Sequence, residues 1–194
     1  MEGKVVRLRA HERSDIDEFM RFVNDEELKR FLAIQESLKY PLSRMQEEEW
    51  IELCASGAGP DRHFVIETLK DRQFLGQIGL EHIDWVDRRA NLALFLFNKQ
   101  EWGKGYGTDA LQVLLRLAFD KLGFYRIGLR VAASNTRAIR CYERCGFKHE
   151  GVLRCDRFLD GRLQDSLMIR CWSPSIGRWF RCKNKNARRD AGAT

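Results

Sequence analysis

The sequence predicts a mixed α/β (α+β) domain: one layer of sheet with helices on both sides. Three observations carry this prediction. Strand-like runs joined by short polar turns fill much of the first half, and one strand–helix–strand crossover occupies the middle. A long helix beyond residue 107 is apolar on nearly every side and must be covered. The 194 residues suit one domain, and no internal repeat or second-domain pattern interrupts them.

The elements follow in order. Val6, Leu8 and Ala10 alternate in KVVRLRA and form a first strand. Asp15 can cap a helix to about Val23, a second short helix covers Glu26 to Leu32, and a third runs from Ser43 to about Cys54. RHFVIETL and QFLGQIGLEHIDW are strands joined through Lys70 to Arg72, and RRANLALFLF is another. The apolar helix spans Thr108 to about Leu122. RIGLRVAAS alternates Ile127, Leu129 and Val131, then gives way to a helix capped by Ser134 or Asn135 and ended by Gly146. GVLRCDRFLDGRLQDSLMIRCW folds as two strands about an Asp160-Gly161 turn.

Composition narrows the function. Hydrophobic content of 44% with 32% charged residues describes a water-soluble globule; no apolar run approaches the roughly 18 residues of a membrane span. The opening MEGKVVRLRA has no signal-like apolar core, so a cytoplasmic, non-membrane protein is expected. Six cysteines form no C-x-x-C pair and, with four histidines, no zinc pattern, so reduced thiols and no metal are expected. The net charge of +6 is concentrated at the end: residues 173–194 carry six basic residues and one acid, leaving +1 for the rest. This segment reads as a basic, flexible tail, suited either to solvent or to contact with RNA or a ribosome.

Gly103, Gly105 and Gly107 alternate immediately before the apolar helix. Glycine reaches positive φ without strain and lets a ligand approach the main chain, and a helix N-terminus attracts anions. The stretch therefore suits a phosphate cradle. It matches neither the P-loop nor the G-x-G-x-x-G dinucleotide fingerprint. The glutamates at 47, 48, 49 and 52 form an acidic helix face, either solvated or a wall attracting a cationic amine.

WGKGYGTDAL, followed about thirty residues later by NTRAIRCYERCGF, resembles the GNAT superfamily of N-acyltransferases. The second motif is met at Asn135, Ala138, Tyr142, Gly146 and Phe147. The first is met at Gly105 and Gly107, with Trp102 where the family usually has Arg or Gln. VVRLRA…SDIDEF, GQIGLEHIDWVDRRANLAL and EGVLRCDRFLDGRLQDSLMI are similar to the branch holding ribosomal-protein and spermidine N-acetyltransferases. The resemblance covers residues 4–172 and leaves the tail outside.

The resemblance implies a mostly antiparallel sheet, splayed where acetyl-CoA enters. It places the coenzyme's pyrophosphate on the backbone of Trp102, Gly103, Lys104, Gly105, Tyr106, Gly107 and Thr108. It sets the pantetheine arm along Leu94, Phe95 and Leu96, with Asn135 and Arg140 also on the coenzyme. Tyr142 becomes the general acid for the departing thiolate. Many relatives carry Glu where this chain has Asn91, which cannot accept a proton, so Glu81, His82 and Asp84 are the candidate bases and Glu81 is preferred. In a strictly alternating strand, no more than one of Glu81 and His82 would face the cleft. The implied reaction is acetyl transfer to a protein N-terminus, a polyamine or another small amine, in a possible homodimer. The other readings are a non-catalytic acyl-CoA-binding regulator and an RNA- or ribosome-associated protein using the tail.

Overall fold

The structure, a computed structural model, describes residues 1–32, 41–159 and 161–174. Its seven strands are β1 (Val6–Arg9), β2 (Arg62–Thr68), β3 (Phe74–Asp84), β4 (Arg89–Leu96), β5 (Arg126–Ala132), β6 (Lys148–Leu159) and β7 (Arg162–Trp172). They form one sheet in the order β1-β2-β3-β4-β5-β7-β6. Every neighbouring pair is antiparallel except β4–β5.

Alternation along the strands feeds two cores. On β2, Phe64 and Ile66 serve one face while Val65 serves the other; on β4, Leu92, Leu94 and Leu96 oppose Phe95. The first core is covered by α4 (Tyr106–Arg116) and α5 (Thr136–Arg144). Ala110, Leu111, Leu114 and Ala118 are fully buried there, as the all-round apolar pattern requires. The second core lies under α1 (Ile16–Phe22) and α3 (Arg44–Ser56), where Phe19 packs edge-on against Phe74 and Phe97. Between α1 and α3 comes α2 (Glu26–Leu32).

Several boundaries differ from the sequence reading. The helix expected over 108–122 starts at Tyr106 and turns into a π-helical segment, Leu117–Lys121, in which Leu122 N–H bonds to Leu117 C=O. Asp15 does not cap α1 with its side chain. Its buried carboxylate is drawn instead to Arg9, with ion-pair distances of 2.6 and 2.8 Å, and to the Glu12 amide. Ser43 does cap α3, sharing a reciprocal capping box with Gln46, and Gly57 ends that helix in the left-handed conformation. Asp160 and residues 175–194, with Cys182 and most of the basic tail, lie outside the described residues.

One carboxylate fixes the start of the chain to the start of α4. Asp109 Oδ2 accepts the backbone N–H groups of Lys4, Val5 and Val6 at 2.8, 2.8 and 3.1 Å. Gly3 permits this approach, since a Cβ there would collide with the carboxylate. Burial pushes the Asp109 carboxyl up, but the amides of Val5, Lys4 and Val6 push it down further, to a net depression.

Candidate active site

The parallel pair β4–β5 is bonded only from Arg89–Asn91 against Arg126–Gly128. Beyond these residues the strands part, and a cavity of about 720 Å³ opens between Leu92–Leu96 and Leu129–Ala132. Its size suits a cosubstrate. One end is the turn into α4 and the other is the row containing Glu81 and Asn91.

At the turn, Gly103 and Gly105 have φ of +81° and +91°, and a Cβ at either would meet nothing within 4 Å. Their glycine is required by conformation and leaves open space above the backbone. Gly107 is set by contact instead: its Cβ would come 3.3 Å from Leu96 Cδ1, a tight approach, so its bareness eases the seating of α4 against β4. The first backbone bond of α4 runs from Asp109 N–H to Gly105 C=O, which leaves the preceding amides without intrahelical partners at the positive end of the helix. An anionic pyrophosphate fits this donor set.

Of the residues expected to hold the coenzyme, Leu94, Phe95, Leu96, Trp102, Gly103, Gly105, Tyr106, Gly107, Thr108, Asn135 and Arg140 all line the cavity. Lys104 is not among its lining, and its ammonium is paired with Glu101 at 2.8 Å. Trp102 donates its indole N–H to Leu96 C=O at 2.8 Å, and the Arg137 guanidinium lies 3.5 Å over its ring. Sequence reasoning passed over Arg137, although it stands two residues after the Asn135 that opens α5. Asn135 caps that helix by accepting the Ala138 amide at 3.1 Å, so only its amide N–H groups remain to donate into the cavity.

Tyr142 lines the cavity from α5, 7% exposed, its ring 5.7 Å from that of Phe147. Burial pushes its phenol well above the ordinary range and keeps it protonated. Beside it, the Cys141 thiol contacts Thr108 Oγ1 at 3.4 Å, joining α5 to the first turn of α4.

Glu81 and His82 both line the cavity, contrary to strict alternation. The cause is a bulge: His82 sits at φ +50° where the β3–β4 register shifts between Glu81 and Asp84, and its amide bonds to Asp61 Oδ1 at 2.8 Å. Asp84 instead holds the turn, accepting from the Asp87 amide and from Arg89. The Glu81 side chain is 16% exposed and stands 4.0 Å from His63 Nε2. Burial first and Asp61 second push its carboxyl up, with His82 opposing. Burial lowers His63 and keeps its ring neutral at physiological pH.

Asn91 lies opposite Glu81, and its Oδ1 accepts from Arg170 Nη1 at 3.3 Å. A second bulge, with Cys155 at φ +52°, turns Arg157 into the cavity wall from β6. Arg157 and Arg170 were not anticipated.

The acidic face of α3 is not part of this cavity. Glu47 is buried, Glu48 pairs with Arg44, Glu52 pairs with Arg13, and Glu49 is exposed to solvent. Among the described residues there is no cluster of metal-ligating side chains and no helix long and apolar enough to cross a membrane. The five described cysteines are unbridged.

Comparison with known proteins gives this geometry a context. A family model described as an acetyltransferase (GNAT) domain matches residues 6–148. The chain is 32% identical over 105 residues to the spermidine N(1)-acetyltransferase of Vibrio cholerae, covering 54% of this chain and 60% of that enzyme. It is 32% identical over 108 residues to the putative ribosomal N-acetyltransferase YdaF of Bacillus subtilis, covering 54% and 58%. In sequence, then, the chain spans under two thirds of either relative. In structure the likeness is broader: a crystal structure of the Vibrio spermidine N-acetyltransferase, in complex with CoA and spermine, superposes with a TM-score of 0.77. That match has 26% identity and covers 87% of this chain and 95% of that one.

Proposed function

The chain belongs to the GNAT family of acetyltransferases, and from that premise we propose that it acetylates a primary amine with acetyl-CoA by direct attack. The observation that carries this reading is the continuity of one cavity. It runs from the bare amides before α4, along the parted edge of β4, to Tyr142 and Glu81.

Each end has separate work to do. The turn at Gly103–Gly107 binds and orients through backbone donors, supported by the Trp102–Arg137 stack. The unpaired edge of β4 offers main-chain groups to the arm and to negative charge developing on the acyl oxygen. Glu81 receives the proton that the amine loses; its raised carboxyl is a better base near neutral pH than an exposed one. Tyr142 remains neutral and donates its O–H to the sulfur as the thiolate departs. Acetyl-CoA supplies the activated acyl group when bound.

The named relatives point to polyamines and ribosomal targets as acceptor classes. Residues 4–172 are the catalytic domain in this reading, and the cosubstrate-binding residues are those of the cavity. The test is calorimetric titration with acetyl-CoA followed by thiol release with a panel of amines. Saturable binding near one equivalent with amine-dependent release supports the proposal. Binding without release for any amine favours the non-catalytic regulator, and absence of binding refutes both.

A further inference from the structure

Four residues form one row across the sheet. Glu81 on β3 faces Asn91 on β4, Asn91 faces Gly128 on β5, and Gly128 faces Arg170 on β7. Directly opposed residues share a sheet face, and Glu81, Asn91 and Arg170 all line the cavity. Gly128 is the gap that makes the row work. A Cβ there would overlap the Arg170 guanidinium, so the absence of a side chain lets Arg170 lie across β5 and reach β4.

The guanidinium is held but not neutralised. Its Nη1 donates to Asn91 Oδ1 at 3.3 Å and its Nε to Glu150 Oε2 at 3.0 Å. Glu150 is shared, because Arg126 Nη2 lies 2.7 Å from the same oxygen. One carboxylate between two guanidiniums leaves a net positive charge, and Lys148 stands opposite Arg170 on β6. The Arg170 side chain is 18% exposed, and its Nη2 has no partner among the described residues.

We infer that Arg170 receives a carboxylate of the acceptor, so that the acetylated substrate is an amine bearing a carboxylate a few bonds away, as an amino acid does. The inference rests on the acetyltransferase reading, with Glu81 at the amine. Guanidinium is the side chain best matched to a carboxylate, through two parallel hydrogen bonds. The row gives the substrate opposite charges to meet at its two ends: a proton acceptor at Glu81 and a cation beyond Asn91. With strands about 4.8 Å apart, the Glu81 and Arg170 backbones stand three spacings, about 14 Å, from each other, and the Arg170 side chain crosses β5 to reach Asn91, which leaves its guanidinium on the order of 8 Å from the Glu81 end. A small amino acid hydrogen-bonded at both ends, each bond about 2.8 Å, spans such a distance. A polyamine lying along the row would bring a second ammonium against the guanidinium cluster, where like charges repel.

The experiment compares amino acids with their decarboxylated amines, and both with spermidine, by acetyl-CoA-dependent thiol release from the full chain. The carboxylated member of each pair is expected to have the higher kcat/KM. Arg170→Gln should lower it by about tenfold to a hundredfold, chiefly through KM, while decarboxylated amines are unaffected or improve. Arg170→Lys, which keeps the charge but loses the fork, should fall between. Calorimetric acetyl-CoA affinity retained in both variants establishes that they fold. Acetylation of spermidine or decarboxylated amines as efficient as that of amino acids, with ratios unmoved by Arg170→Gln, overturns the inference and leaves the acetyltransferase reading standing. Failure to acetylate any amine overturns the reading itself and the inference with it.

Discussion

Removing Asp109 should loosen the N-terminal segment from α4 and with it the turn that begins the cavity. In Asp109→Ala, the amides of Lys4, Val5 and Val6 lose a charged acceptor together. Hydrogen bonds to a charged group contribute about 1.5–3 kcal/mol each, and an exposed donor recovers much of this from water. Two of the three bonds are partly buried donors rather than fully buried ones, while the Val6 bond is buried. A loss of about 3 kcal/mol follows, or about 10 °C in Tm for a chain of this size. Asp109→Asn, which keeps a neutral acceptor, should lose about half as much. The folded carboxyl is depressed, so its contribution is present above the unfolded pKa of about 3.9 and is lost as pH falls through the lower folded value. Thermal melts of the parent and both variants at pH 7 and near pH 3 measure this, and the gap between parent and Ala variant should shrink in acid. A Tm at pH 7 within 2 °C of the parent, on the order of the error in such melts, would refute the reasoning.

The remaining predictions concern the cavity. Tyr142→Phe should reduce turnover by about tenfold or more with unchanged calorimetric affinity for acetyl-CoA; unaltered turnover removes Tyr142 as the acid. Glu81 is raised, so the parent's rate should fall with decreasing pH through a value above the usual carboxylate range. Glu81→Gln should abolish that acid limb and lower kcat by about a hundredfold, and an unchanged profile eliminates Glu81 as the base. Gly105→Ala meets no atom but must hold a φ of +91°, at a cost of about 1–2 kcal/mol. It should weaken acetyl-CoA binding about tenfold through misdirected amides, and calorimetry with equal affinity would show that the turn does not need that conformation.

The parts of the site visible in the sequence were those written as local pattern. Alternating glycines before an apolar helix, and a cap residue seven positions before Tyr142, mark the turn and the inner face of α5 without knowledge of the sheet. What escaped is set by register and bulges. Both bulges place a non-glycine residue at positive φ, His82 and Cys155, where no residue type announces the kink; each turns a neighbouring side chain into the cavity. Gly128 did carry a signal, since a glycine amid the apolar residues of RIGLRVA marks close approach by another group. That the group is Arg170 follows only from strand pairing. The acidic stretch on α3 left two readings open for a related reason: a helix's charge says which face is polar, not what that face looks toward.

The short parallel pairing of β4 and β5 has a mechanical consequence. The sheet is two plates, β1–β4 and β5–β7, welded along three residue pairs and pried apart above the weld. A rod of alternating donors and acceptors laid in the gap would act as an eighth strand, riveting plates that above the weld are joined through the core under α4 and α5 and not by strand pairing. Loading such a rod would then complete the hydrogen bonding of the sheet as well as fill its gap.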